Sequence, residues 1–186
     1  MTLRGDLRVV DHVPQAFAAF VAEEAPASIA LSGGTTAREC YGLLAAADVD
    51  WTEVEIFFGD ERWVPVDDPD SNEGMARHAF VDRVLPAAVY SMRGAGETIE
   101  EAADAYDGLL REHAPVELVH LGLGPDGHTA SLFPGSPALE EHERLIVATG
   151  DDLPAARVAA AHVVWFVDEA ANGRIDRPVR TASGAA

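Results

Sequence analysis

The sequence predicts an α/β domain with a mostly parallel sheet and helices on both of its faces. Segments typical of strands alternate with segments typical of helices, which is the order that crossover connections between parallel strands produce. The apolar strand segments show no alternation of apolar and polar residues, as expected for strands buried on both faces. With 186 residues, 48% of them hydrophobic, the chain has the length of one domain and can bury a sizeable core.

Six short apolar segments predict the strands of this sheet. Three of them run directly into glycine-containing turns, so the sheet is expected to carry several irregular loops at one edge. In chain order the predicted strands are residues 7–10, 28–31, 54–58, 116–121, 145–148 and 163–167.

Four segments with helical periodicity lie between these strands. In the third, Ser71 or Asn72 is suited to the N-cap position, where a side-chain oxygen accepts a hydrogen bond from the first helical turn. Residues 1–172 are expected to form one domain, and residues 173–186, rich in Gly, Arg and Ala without periodicity, predict a frayed tail. The predicted helices are residues 13–24, 37–46, 72–84 and 99–113.

The charge balance argues against several classes of function. The chain carries 32 acidic against 13 basic residues, a formal net charge of −19, and such a field repels nucleic acid and anionic membrane surfaces. All of the basic residues are arginines. Without lysine there can be no Schiff base through a lysine side chain and no Walker-type phosphate lysine. A bound anion would therefore be held by arginines and backbone N–H groups.

The remaining composition favours a cytoplasmic protein. Cys40 is the single cysteine, so no intrachain disulfide can form. Arg4, Asp6 and Arg8 interrupt any apolar signal-peptide core at the start of the sequence. No apolar run reaches the roughly 20 residues of a membrane helix. No histidine spacing indicates a metal site, so no metal is expected, and the negative net charge argues against a membrane partner.

Three polar loops follow predicted strands and are expected to form one composite site. They are residues 32–36 (the first loop), 59–65 (the second loop) and 122–135 (the third loop). Ligands of open α/β sheets bind outside the carboxyl ends of the strands, where such loops meet.

The first loop has the composition of a phosphate site. Gly33 and Gly34 allow close approach of the backbone to an anion, and Ser32, Thr35 and Thr36 add hydroxyl donors. The helix that follows presents unpaired N–H groups and a partial positive charge. The alternative is a tight strand-to-helix turn in which Thr36 acts only as a cap.

The second loop places Asp60, Glu61 and Arg62 directly after an apolar strand. Arg62 is suited to phosphate because its planar guanidinium donates two parallel hydrogen bonds. Asp60 would then lie near the reacting part of the ligand whose phosphate Arg62 binds. The alternative is a solvated charged rim.

The third loop brings Asp126 and His128 together on a glycine-rich turn. Its Gly-x-Gly-x-x-Gly pattern matches a dinucleotide fingerprint, but Pro134 interrupts the helix that should follow, and no ribose-binding acid lies at the expected distance. Histidine is suited to general-base catalysis near neutral pH, and a neighbouring carboxylate can fix its tautomer. Gly127 and Thr129 flank this pair and are further candidates for ligand contacts. The alternative is that His128 only hydrogen-bonds within its loop.

Five segments of the sequence, taken together, resemble the 6-phosphogluconolactonases, in the superfamily of glucosamine-6-phosphate deaminase and ribose-5-phosphate isomerase. These segments are residues 31–36, 58–65, 70–72, 75–77 and 121–135. The resemblance implies a Rossmann-like fold and hydrolysis of 6-phosphogluconolactone to 6-phosphogluconate in the pentose phosphate pathway, with no metal or cofactor. His128 would activate water and Asp60 would assist. The phosphate would be held by Ser32, Gly33, Gly34, Thr35, Thr36 and Arg62, with Gly127 and Thr129 beside the substrate. The expected partner is the phosphorylated sugar lactone, and the expected assembly is a monomer or a weak homo-oligomer.

The resemblance is interrupted after Gly150. Residues 151–158 resemble a stretch near the family's C-terminus, so a segment of roughly 30 or more residues, the size of one βαβ unit, has no counterpart here. In relatives this segment supplies a strand, a helix and a phosphate-binding lysine. The sheet is therefore expected to lack a strand. Two alternatives to the lactonase remain: an enzyme like glucosamine-6-phosphate deaminase or an aldose–ketose isomerase, and a shortened relative that binds phosphosugar without turnover.

Overall fold

The computed structural model describes residues 5–94 and 96–173. Strands and helices alternate along it, and the predicted α/β class with parallel strands is confirmed. Except for Gly173, the predicted tail lies outside the described residues. The strands are β1 (Asp6–Val9), β2 (Ser28–Leu31), β3 (Glu55–Phe58), β4 (Asp60–Arg62), β5 (Ala88–Val89), β6 (Leu118–Val119), β7 (Asp152–Pro154) and β8 (Val164–Val167). The helices are α1 (Val13–Glu24), α2 (Thr35–Leu44), α3 (Asn72–Ala79), α4 (Ile99–His113) and α5 (Glu169–Asn172), with 3₁₀ turns at Trp51–Glu53, Val81–Arg83 and Pro137–Glu140.

A four-stranded parallel sheet with the strand order β5-β3-β2-β6 organises the molecule. Leu31 at the end of β2 lies beside Phe58 at the end of β3, and β6 pairs with the other side of β2. From β2 the chain adds β3 and then β5 toward one edge of the sheet. It then returns and places β6 next to β2, at the opposite edge. The connection therefore reverses between β2 and β6, and a crevice at such a reversal is the usual ligand site of open α/β sheets.

The described strands form three sheets rather than the one sheet that the sequence suggested. β1 and β8 form a parallel pair, and β4 and β7 form an antiparallel pair. Neither pair is hydrogen-bonded to the four-stranded sheet within the described residues. The separation of β1 and β8 from β6 agrees with the expectation that the sheet lacks a strand.

Several boundaries also differ from the predicted ones. The third predicted helix ends at Ala79, because the next residue, Phe80, leaves the helical region at φ −145° and is fully buried. The predicted strand 116–121 contributes only Leu118 and Val119. The predicted strand 145–148 forms an isolated bridge between Ile146 and Ala155 instead of a ladder.

A continuous apolar core fixes the strands that carry the three loops. All four residues of β2 are buried. Helix α1 packs Phe17, Ala18 and Val21 into the core from one face, which is the spacing of an amphipathic helix. Fully burying a large apolar side chain stabilises a fold by about 1.5–3 kcal/mol. Among the described residues, no helix combines the length and apolar character needed to cross a membrane.

Candidate active site

The first loop leaves the N-terminus of α2 open to solvent. Gly34 is the N-cap residue, with φ +100°, a conformation that side chains other than glycine rarely adopt. No side chain caps this helix, and Gly34, Thr35 and Thr36 are exposed. The alternative in which Thr36 caps the helix is therefore wrong, since α2 already begins at Thr35. The first N–H groups of α2 are available for an anion.

Arg62 is held beside the first loop by Asn72. Nη1 of Arg62 donates hydrogen bonds to Oδ1 of Asn72 at 2.6 Å and to the carbonyl oxygen of Asp70 at 2.9 Å. The Asn72 side chain packs so closely against Gly33 that a Cβ added there would lie 1.8 Å from Oδ1. Arg62 itself is exposed. The first and second loops therefore adjoin, and the guanidinium is oriented at their junction.

Glu61 has a structural role in the second loop. Its buried carboxylate accepts hydrogen bonds from the backbone N–H groups of Arg62, Asn72 and Glu73 at 2.7–2.8 Å and from the hydroxyl of Ser71 at 2.9 Å. A carboxylate is favourable at the N-terminus of a helix such as α3. Burial raises the pKa of Glu61, although these hydrogen bonds oppose the shift. The alternative of a solvated rim is wrong for Glu61 and for Asp60, which are both buried.

Asp60 connects the second loop to the third. It is only 6% exposed, and its Oδ2 accepts a hydrogen bond of 2.7 Å from the hydroxyl of Ser131. Its Oδ1 is buried and has no hydrogen-bond partner in the described structure. Burial raises the pKa of Asp60, while Ser131 and Arg62 act in the opposite direction. A buried carboxylate oxygen without a partner is costly and often marks a functional group.

A tight turn aims Ser131 at Asp60. Ala130 and Ser131 have φ +48° and +57°, and the N–H of Leu132 donates to the carbonyl of Thr129 at 2.8 Å. Two consecutive residues with positive φ define a type I′ turn, for which Asn-Gly is the usual sequence. A non-glycine residue in this region costs about 1–3 kcal/mol and such strain clusters at functional sites. This turn holds the Ser131 hydroxyl in position for its hydrogen bond to Asp60, which joins the third loop to the second.

His128 forms a pair with Asp126. Its Nδ1 lies 2.5 Å from Oδ1 of Asp126, and the hydrogen bond from His128 lowers the pKa of that carboxyl. With Nδ1–H donating to the carboxylate, Nε2 carries the free lone pair that a general base requires. The His128 ring packs over Gly124 and against Phe133, with 4.5 Å between ring centroids, and 32% of the side chain is exposed. The alternative that His128 bonds only within its loop is consistent with these contacts.

The first and third loops also adjoin each other. A Cβ added at Gly122 would lie 3.9 Å from the hydroxyl of Ser32. Gly127 has φ +90° and turns the chain between Asp126 and His128, while Thr129 donates to the carbonyl of Gly122 at 2.7 Å. All three loops thus meet at the carboxyl edge of the sheet, as predicted. The roles of their residues in binding and catalysis stay predictions.

Sequence reasoning missed two side chains of this site. Asn72 was considered as a helix cap and as part of the resembling stretch 70–72, without a role of its own, but Ser71 is the N-cap, and Asn72 orients Arg62. Asp152 lies opposite Arg62 in the β4–β7 pair, and no local pattern predicts that pairing. No group of three or more potential metal ligands clusters in the described part of the chain.

Fold and loops together define an α/β protein with a polar site at the topological switch point of a parallel sheet. The family model for glucosamine-6-phosphate isomerases and 6-phosphogluconolactonase matches residues 7–169. The chain therefore belongs to this family, and the resemblance inferred from the loop sequences is confirmed.

Individual relatives carry the lactonase name. The chain is 44% identical over 142 residues to a 6-phosphogluconolactonase of Synechocystis sp., covering 71% of this chain and 59% of that protein. It is 39% identical over 163 residues to a 6-phosphogluconolactonase of Nostoc sp., covering 79% and 68%. The crystal structure of a 6-phosphogluconolactonase from Shewanella baltica superimposes with a TM-score of 0.71 at 29% identity, covering 83% of this chain and 76% of that one. The chain thus matches just over half the length of the first of these relatives.

Proposed function

We propose that this protein hydrolyses 6-phospho-D-glucono-1,5-lactone to 6-phosphogluconate, a step of the pentose phosphate pathway. The family contains both isomerases and lactonases, and the similarity to relatives named as lactonases supports the second activity. The observation that carries the proposal is the Asp126–His128 pair, which lies on the loop next to the open N-terminus of α2. This arrangement offers a base and an anion site at one edge of the sheet.

The phosphate would bind where the first and second loops meet. The N–H groups of Thr35 and Thr36 and the preceding glycines, Gly33 and Gly34, provide neutral dipolar donors, and Arg62 provides a charge. The chain has no lysine that could contribute. In a chain of net charge −19, a site built from helix N–H groups is useful because dipoles act at short range and are less affected by the distant negative charges.

His128 would act as the general base toward water. Nε2 takes a proton from the water as its oxygen attacks C1 of the lactone, and Asp126 stabilises the resulting imidazolium. The tetrahedral intermediate then collapses, the bond between C1 and the ring oxygen breaks, and His128 returns the proton to that oxygen. The products are a carboxylic acid and a free hydroxyl, so atoms and charge balance without a cofactor.

Asp60 would assist at the active site. Its Oδ1 is buried and lacks a partner, so a hydroxyl of the bound ring reaches it only if a neighbouring side chain moves. Ser131 holds the other oxygen in place. Thr129 and Gly127 would shape the wall on which His128 is presented. Cytoplasmic localisation and a monomeric or weakly oligomeric state remain expectations from the composition.

A coupled assay of lactone hydrolysis, corrected for spontaneous hydrolysis with a buffer blank, tests the proposal. We expect the variant His128→Ala to lower kcat by about 10²–10⁴-fold, the usual contribution of a general base. The variant His78→Ala, which changes an exposed histidine of α3, serves as the control and should keep the wild-type rate.

Three outcomes would contradict different parts of the proposal. Release of ammonia from glucosamine 6-phosphate would assign the chain to the deaminase activity. Thermal stabilisation by 6-phosphogluconate without turnover of the lactone would indicate a binding protein. An unchanged rate in His128→Ala would remove this residue from the role of base.

A further inference from the structure

A buried tyrosine contacts the backbone at the start of the first loop. The side chain of Tyr41, on α2, is fully buried. Its hydroxyl oxygen lies 2.6 Å from the backbone nitrogen of Ser32 and 3.0 Å from the carbonyl oxygen of the same residue. It also lies 2.9 Å from Nδ1 of His120. One hydroxyl therefore contacts both backbone polar groups of Ser32.

These contacts lie where the hydrogen bonds between β2 and β6 end. The last hydrogen bond in which β6 approaches β2 runs from the N–H of His120 to the carbonyl of Ala30. Beyond this point no strand pairs with Ser32 in the described structure. Buried backbone N–H and C=O groups nevertheless require partners. The Tyr41 hydroxyl supplies them where the crevice between β2 and β6 begins.

The number of available protons determines the direction of each hydrogen bond. A tyrosine hydroxyl donates one proton, and the N–H of Ser32 already donates to its oxygen. If the hydroxyl donates to the Ser32 carbonyl, His120 must donate through Nδ1–H, and every group is satisfied. If the hydroxyl donates to His120 instead, the buried carbonyl loses its donor. The first arrangement is favoured because an unsatisfied buried group is costly.

The surroundings of His120 keep its ring neutral. Phe17 stacks on the ring with 4.2 Å between centroids, and burial lowers the pKa of His120 to about 4. Burial likewise raises the pKa of Tyr41. At neutral pH both groups are uncharged, and the hydrogen-bond pattern requires only that the His120 proton resides on Nδ1.

We propose that Tyr41 is a positioning residue for the first loop, and that His120 in its Nδ1–H form directs the Tyr41 proton to the Ser32 carbonyl. Ser32 immediately precedes Gly33 and Gly34, so fixing its peptide groups fixes the direction in which the N–H groups of α2 emerge. The proposal rests on the proposed function only for the identity of the bound anion.

The first test is the variant Tyr41→Phe. We expect its dissociation constant for 6-phosphogluconate and its KM to rise about tenfold, which corresponds to about 1.4 kcal/mol, while kcat changes less than about threefold, because the Asp126–His128 pair lies on a different loop. In the control Tyr90→Phe the lost hydroxyl donates to Glu55 at the start of β3, and kcat and KM should be unchanged. The variant Tyr106→Phe loses a buried hydroxyl bonded to the Phe58 backbone and calibrates the loss of thermal stability.

The second test does not depend on activity. In ¹⁵N spectra of the wild-type protein at pH 7, the His120 ring should show a protonated Nδ1 and an unprotonated Nε2, and the Ser32 amide should exchange faster with solvent in Tyr41→Phe. An Nε2–H tautomer, or an unchanged dissociation constant and KM in Tyr41→Phe, would overturn the proposal. If the wild type shows no lactone turnover but both spectroscopic results hold, the proposed function fails and the positioning of Ser32 by Tyr41 stands.

Discussion

Gly124 offers the sharpest test of the proposed base because the three atoms nearest to a Cβ added there all belong to the ring of His128. A Cβ added at Gly124 would lie 2.1 Å from Cε1, 2.2 Å from Nδ1 and 2.8 Å from Nε2 of His128. An ordinary contact needs at least 3.4 Å, so in Gly124→Ala the ring must retreat by about 1.3 Å. That movement breaks the 2.5 Å contact with Asp126.

The expected loss of activity follows from this displacement. A misplacement of about 1 Å can cost roughly 10²-fold in rate, so we expect kcat of Gly124→Ala to fall by about that factor. Stability should change little. The His128 ring is partly exposed and can swing into solvent, and an alanine restricts the unfolded chain by about 0.4–1 kcal/mol relative to glycine. Steady-state lactone hydrolysis and thermal denaturation measure the two effects separately.

Two further variants make the result decisive. Gly108→Ala introduces the same change in α4, where nothing lies within 4 Å of the new Cβ, and should stabilise the helix by about 1 kcal/mol without affecting kcat. The double variant Gly124→Ala/His128→Ala should be no slower than His128→Ala alone, since both changes remove the same group. A folded Gly124→Ala protein with kcat within threefold of wild type would refute the role assigned to His128.

Two other predictions follow from the loop contacts. In Gly33→Ala the new Cβ would lie 1.8 Å from Oδ1 of Asn72 and displace the acceptor that orients Arg62, so KM should rise about tenfold or more, as expected for a lost charge-assisted hydrogen bond; a normal KM would show that Arg62 does not bind the phosphate. Because burial raises the pKa of Asp60, the folded state binds its proton more tightly than the unfolded state does, and the carboxylate destabilises the fold as the pH rises through the folded pKa. Asp60→Asn should therefore melt at a higher temperature than wild type at pH 7–8, with the gain vanishing toward pH 4, and a difference independent of pH would contradict this.

Elements with a strong local signal could be predicted from the sequence. The helices at 13–24 and 99–113 and the strand at 28–31 match their predicted bounds. Helix α4 shows the reason, since Thr98 and Glu101 form a capping box at its start. Such signals act over a few residues and need no tertiary information.

Elements defined by long-range pairing could not be predicted. Strand β4 consists of Asp60, Glu61 and Arg62, and nothing in three charged residues indicates a strand. It exists because β7, about ninety residues later, pairs with it. Strand β5 has two residues. In both cases the partner strand, rather than the local sequence, determines the extended conformation.

The sequence analysis predicted which loops form the site, but not which side chains contact one another there. The rule that ligands bind at the carboxyl ends of parallel strands brought the three loops together. It could not indicate that Asn72 orients Arg62, or that Ser131 donates to Asp60. Tyr41 and His120 were also missed, because a buried aromatic side chain is normally only part of the core.

The pairing of β4 with β7 has a consequence for the charge of the proposed phosphate site. β7 places Asp152 opposite Arg62, and the backbone of the preceding Asp151 accepts a hydrogen bond from the N–H of Trp63 at 2.7 Å. The residues that follow the interruption in the family resemblance therefore return to the site and add negative charge beside its arginine. Burial raises the pKa of Asp152, and the positive charge of Arg62 opposes that rise, so the two side chains interact electrostatically within the protein. In the proposed site Asp152 therefore weakens the attraction between Arg62 and a phosphate, and the neutral N–H groups at the start of α2 must supply a larger share of the affinity. A change at Ser32 or Tyr41 that reorients these groups should consequently raise the dissociation constant.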